Sequence, residues 1–112
     1  MFNAVAGDLI ELTVDIKNRD NAAVVLDGST FVFTGVTTDG LTEVTYDESN
    51  GIELSGSVVG RLFVSIQPDV TSSFTRPQNI WWDIRMTDVL TEPRTVASGK
   101  IAVSLPVSAM VI

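Results

Sequence analysis

The chain has 112 residues, 45% of them apolar, which is enough for one cored domain and too short for two. It contains no cysteine and no histidine, which excludes disulfide frameworks, thiolate zinc sites, cysteine nucleophiles, histidine triads and imidazole acid–base chemistry. Seven basic against fourteen acidic residues leave a net charge of −7, which repels a phosphate backbone and an anionic bilayer, so neither nucleic acid nor membrane is expected as a partner.

Met1 to Gly7 offers no basic region followed by a long apolar run, and no stretch approaches the ~18 apolar residues of a membrane span; synthesis in the cytoplasm without processing is expected. Sixteen valines, twelve threonines and eight isoleucines are β-branched residues that pack well on a pleated surface and lose rotamer freedom in a helix. Strands should therefore dominate. From Asp8 to Lys17, Ile10, Leu12, Val14 and Ile16 alternate with Glu11, Thr13, Asp15 and Lys17, the period of a half-buried strand. The polar cluster Asn18 to Asn21 is a turn, and Val24 to Leu26 reads as a short strand stopped at Asp27-Gly28. Phe31 and Phe33 lie in a strand that turns at Thr38-Asp39-Gly40 into a hairpin partner over Leu41 to Tyr46.

Ile52 to Leu54 is a short strand ahead of Ser55-Gly56-Ser57, and alternating Leu62, Val64 and Ile66 define another that runs to about Gln67. Pro68 to Phe74 predicts one helical turn, since proline suits the first helical position and Asp69 the first turn. Ile80, Trp82, Ile84 and Met86 face one way and Trp81, Asp83, Arg85 and Thr87 the other, which marks a central strand. The final strand spans roughly Thr95 to Leu105, with a bulge expected near Gly99. Seven or eight short strands separated by turns predict an all-β fold, an immunoglobulin-like antiparallel β-sandwich, with Trp82 as the core aromatic. The whole chain, 1–112, reads as one domain with apolar extensions at residues 1–7 and 106–112.

Three stretches carry a family resemblance: "GDLIELTVDIKNRDNAAVVLDGSTFVF", "GRLFVSIQPDVTSSF", and "NIWWDIRMTD" with "VASGKIAVSLPV". Together they resemble the small immunoglobulin-like domains of tailed-bacteriophage structural modules, among them the N-terminal module of siphophage upper baseplate proteins. The family often has Pro-Gly before the aromatic strand, where this chain has Arg76-Pro77-Gln78-Asn79. The resemblance covers about residues 7 to 107 and brings no catalytic residues with it. It implies a non-enzymatic virion protein, a tail or baseplate component or a head decoration subunit, that binds other virion proteins and copies of itself.

The carboxylates are the plentiful reactive groups. Asp27, Asp39, Asp47, Glu48 and Glu53 can in principle pair as acid and base, but nothing in their spacing brings two together, and most lie in turns where a short polar side chain serves the local backbone. Asn18 to Asn21 and Asp47 to Asn50 supply oxygens for a hard cation without matching a calcium-loop signature. No catalytic residue, cofactor or metal site is expected. Asp83 reads as one half of an ion pair with Arg85 or Lys100.

Candidate partner-binding residues are Phe2, Phe63, Trp81, Val107, Met110, Val111 and Ile112. If Trp82 points inward, Trp81 points outward, either as an interface anchor or beneath a loop of its own chain. Trp81 with Phe63 or Tyr46 can also form a platform for sugar rings, so the alternative function is a carbohydrate-binding or adhesion module with a glycan partner. The last seven residues carry no charged side chain and need either their own sheet edge or another chain to lie against; a neighbouring subunit is expected. Residues 1–60 carry net charge −8 and residues 61–112 net +1, a polarity that suits head-to-tail contacts if the two halves occupy different faces.

Overall fold

The computed structural model describes residues 2–17, 20, 26, 28–87 and 93–106. Among these the chain forms eight strands and one helical turn: β1 (Phe2–Val5), β2 (Ile10–Asp15), β3 (Thr30–Thr37), β4 (Glu43–Tyr46), β5 (Ile52–Leu54), β6 (Arg61–Ile66), α1 (Pro68–Thr71), β7 (Gln78–Thr87) and β8 (Arg94–Ser104). They make a five-stranded sheet in the order β1-β8-β7-β3-β4 and a three-stranded sheet in the order β2-β6-β5. All pairings are antiparallel except β1 with β8, which is parallel.

The fold is all-β, two sheets sharing one apolar core. Period-2 alternation explains how. Ile10, Leu12 and Val14 of β2 and Leu62, Val64 and Ile66 of β6 face Phe31 and Phe33 of β3, Ile80 and Ile84 of β7, and Ile101 and Val103 of β8, all buried in one cluster. Intervening residues on each strand face solvent. Burying each large aliphatic or aromatic side chain contributes about 1.5–3 kcal/mol before ordering costs. Trp82 packs against the core, its ring stacked on Phe33 at 5.7 Å between centroids, while Tyr46 stacks on the other side of Phe33 at 6.1 Å.

Several boundaries differ from the sequence reading. Residues 2–5, expected as an extension, form β1: the opening run is an edge strand whose hydrogen bonds come from the last strand, a partner about 100 residues away that no local pattern announces. The first long strand is shorter than Asp8 to Lys17. The bulge sits at Val96, between the pairs Ile84–Ala97 and Arg85–Thr95, three residues before Gly99. The Phe31 hairpin turns at the expected place, with Gly40 at φ +73° donating its N–H to the Thr37 carbonyl. The helical turn begins at Pro68 as expected and ends at Thr71, whose buried hydroxyl accepts the Gly7 N–H at 2.9 Å and ties the β1–β2 turn to α1. The expected strand at Val24 to Leu26, the turn at Asn18 to Asn21 and the candidates Val107, Met110, Val111 and Ile112 fall outside the described residues, apart from Asp20 and the buried Leu26.

Candidate protein interaction surface

The outer face of the five-stranded sheet is read from cross-strand register. Glu43, Val36, Trp81 and Lys100 form one row across β4, β3, β7 and β8; Thr45, Thr34, Asp83 and Ser98 form the next; Val32 and Arg85 follow. Trp81 stands near the middle with 54% of its surface exposed, and the Lys100 ammonium lies 5.1 Å from its ring centroid, a cation–π contact. No loop among the described residues covers it. Val32, also exposed, and Val36 add apolar surface on either side of Thr34. These two valines were missed in the sequence reading, although they alternate with the core residues Phe31 and Phe33 and so had to face outward.

Asp83 lies opposite Thr34 on one side and Ser98 on the other, and forms no ion pair with Arg85 or Lys100. The expected pair fails because Lys100 is one row away, leaning over Trp81. The face thus carries two carboxylates and two cations with a net charge of zero, in a chain whose total is −7.

The outer face of the three-stranded sheet is different. Glu11, Asp15 and Glu53 face outward there against Arg61. Arg61 grips Asp15 with two hydrogen bonds, Nε to Oδ1 at 2.8 Å and Nη2 to Oδ2 at 3.2 Å, and this guanidinium holds the Asp15 carboxyl below its ordinary value of 3.8. Phe63, 37% exposed, lies between Thr13 and Glu53 on this face. Acid-rich and balanced surfaces therefore occupy opposite sides of the molecule, though β6 brings its residues to the acidic side and β4 to the balanced one.

The aromatic platform does not assemble. Trp81 and Phe63 are on opposite outer faces, and Tyr46 is buried, stacked on Phe33 and accepting the Gln67 N–H on its hydroxyl at 3.2 Å. Strand parity is the reason: each of the three residues sits on a different surface of the two sheets.

The carboxylates serve their own turns. Asp39 accepts the Thr37 hydroxyl at 2.6 Å and the Leu41 N–H at 3.0 Å, with Arg76 4.0 Å away; these bonds, the Thr37 hydroxyl first, hold it below 3.8. Among the described residues it is the sole carboxylate lining a hollow of about 730 Å³ between Asn3, Thr38, Arg76, Gln78 and Asn79. Asp47 accepts the Ser49 N–H and hydroxyl and is likewise lowered, chiefly by that hydroxyl. Glu48 reaches back to accept the Phe31 N–H. Among the described residues no three acidic side chains converge as a metal site.

Phe2, 40% exposed, pairs with Ile101 and so shares the inward side of the five-stranded sheet. There it borders the open seam between the two sheets rather than the Trp81 face. No family model matches the chain, and no curated protein matches it.

Proposed function

We propose that this chain is a non-enzymatic binding module, an immunoglobulin-like structural protein of a tailed-bacteriophage virion that engages other virion proteins through the outer face of its five-stranded sheet. The observation that carries the binding reading is Trp81: a large aromatic on a central strand, more than half exposed, framed by Val32, Val36 and a charge-balanced set of side chains. Trp is enriched among residues that dominate interface energy, since one rigid ring removes much apolar surface from water and keeps an N–H donor. The immunoglobulin-like reading is supported by strand order. With β2, β6 and β5 in one sheet and β3, β7 and β8 in the other, extended by β4, the arrangement follows the B-E-D and C-F-G division of that fold with a C′ strand added. The phage assignment rests on the motif resemblance of residues 7 to 107.

The test is coexpression of the full chain with candidate tail, baseplate and head proteins, followed by size-exclusion chromatography with light scattering. A stable complex that Trp81→Ala disrupts supports the reading. A chain that stays apart from every virion protein overturns it, and a complex indifferent to Trp81→Ala overturns the choice of face.

A further inference from the structure

The edge of the five-stranded sheet is only half covered. β1 pairs with residues 101–104 of β8, so residues 94–100 bond to β7 on one side and have no strand on the other among the described residues. Beneath that free edge the two sheets part into a seam of about 670 Å³ lined by Phe2, Leu12, Val14, Trp82, Val96 and Ala97 together with the polar Glu11, Thr13, Asp15 and Ser98. The bulge at Val96 lies beside it, and the consecutive residues Val96, Ala97 and Ser98 all line the seam. The Trp82 indole N–H is buried and finds no acceptor among the described residues, an arrangement that proteins avoid because an unpaired buried donor costs about 1–3 kcal/mol. A free strand edge, a trough with an apolar floor of Leu12, Val14, Trp82 and Val96, and an unsatisfied donor together describe a receptor for an extended peptide.

We propose that this seam receives residues 107–112 of a second copy of the chain, added as a strand along residues 94–100 of β8. The segment Val-Ser-Ala-Met-Val-Ile has no charged side chain, so its side chains meet Glu11 and Asp15 of the seam without repulsion. Length decides between its own seam and another's. It begins beyond Pro106, past the end of β8, whereas the free edge lies at that strand's start. Lys100, where the free edge begins, is about 13 Å back along the strand from Ser104, and six residues reach at most about 21 Å. Residues 107–112 folded back on their own sheet would spend about four residues passing β1 and have about two left for the free edge, whereas the same six residues of a second copy have no such limit. Strand addition sends alternate side chains inward, with Met110 and Ile112 in the trough, Val111 facing out, and a tail carbonyl accepting the Trp82 N–H. This surface is distinct from the Trp81 face.

The test uses the Trp81→Phe chain, in which Trp82 is the remaining tryptophan. Sedimentation of this full-length chain should show concentration-dependent self-association, lost on deleting residues 107–112. A synthetic peptide of residues 106–112 added to the truncated chain should shift Trp82 emission saturably. Met110→Asp or Ile112→Asp peptides should bind at least about tenfold more weakly, and Val111→Asp nearly as well as the parent. Ala97→Arg in the trough should block both effects, and amide exchange over residues 94–100 of the full chain should slow as its concentration rises. A monomer at all concentrations, an unmoved Trp82 signal, equal loss from Met110→Asp and Val111→Asp, or a truncated chain that no longer folds would each overturn the proposal. Because Trp81 is already replaced, loss of virion-protein binding by the Trp81 face leaves this result untouched.

Discussion

Gly99 lies directly opposite Trp82 across the β7–β8 ladder, and a Cβ at Gly99 would come within 2.8 Å of Trp82 Cζ2. The missing side chain is what lets the indole lie flat on β8 while stacking on Phe33. Trp82 cannot yield toward Phe33, which is fully buried behind it. Gly99→Ala should therefore destabilise the fold by about 1–3 kcal/mol through overpacking, read as a lower urea midpoint, with a changed near-ultraviolet circular dichroism signal as the ring tilts. An unchanged midpoint would mean the indole is not held against β8.

A second prediction concerns Thr71. Its hydroxyl is fully buried and accepts the Gly7 N–H. Thr71→Val keeps the shape but strands that donor, at a cost of about 1–3 kcal/mol. Thr71→Ser keeps the bond and should lose less. Chemical denaturation of the two variants side by side checks the order, and amide exchange at Gly7 should speed up in the valine variant alone.

Trp81→Ala should leave stability within about 1 kcal/mol of the parent, because an exposed cation–π contact with Lys100 contributes only about 0.5–1 kcal/mol. Thermal unfolding of the two chains measures it. A large loss of stability would mark Trp81 as structural and remove the argument that it is kept for a partner.

The acid limb of stability follows from Asp15, Asp39 and Asp47, all held below the ordinary value of 3.8 in the folded chain. For a depressed carboxyl the unfolded chain takes up protons first, so the stabilisation is complete well above pH 3.8 and is lost as pH falls through the lower folded values. Urea midpoints should hold level from neutral pH down to about pH 5 and then decline. Asp15→Asn should flatten that decline, and added salt should narrow the difference between variant and parent, because the Arg61 pair is exposed and screened. Asp39→Asn should flatten it with less dependence on salt, its leading cause being the Thr37 hydroxyl rather than a charge.

The amino-acid sequence by itself determined what local periodicity can carry. The alternation in β2, β6 and β7 dictated which side chains are buried, and from it the outward direction of Trp81 followed before any partner strand was known. The turn at Thr38 to Gly40 and the helical turn at Pro68 were likewise legible, because both depend on residues within four positions of one another. The candidate seam was not legible. That Phe2 lies near Leu12, Trp82 and Val96 depends on β1 joining β8 in parallel across the whole length of the chain, and on a bulge displaced from the glycine that suggested it. The separation of Trp81 from Phe63, and of Asp83 from Lys100, was decided the same way. Parity along one strand is set by the pleat and can be counted, whereas register and sheet membership are set by which long-range pairing buries the most apolar surface, and only the folded chain makes that choice.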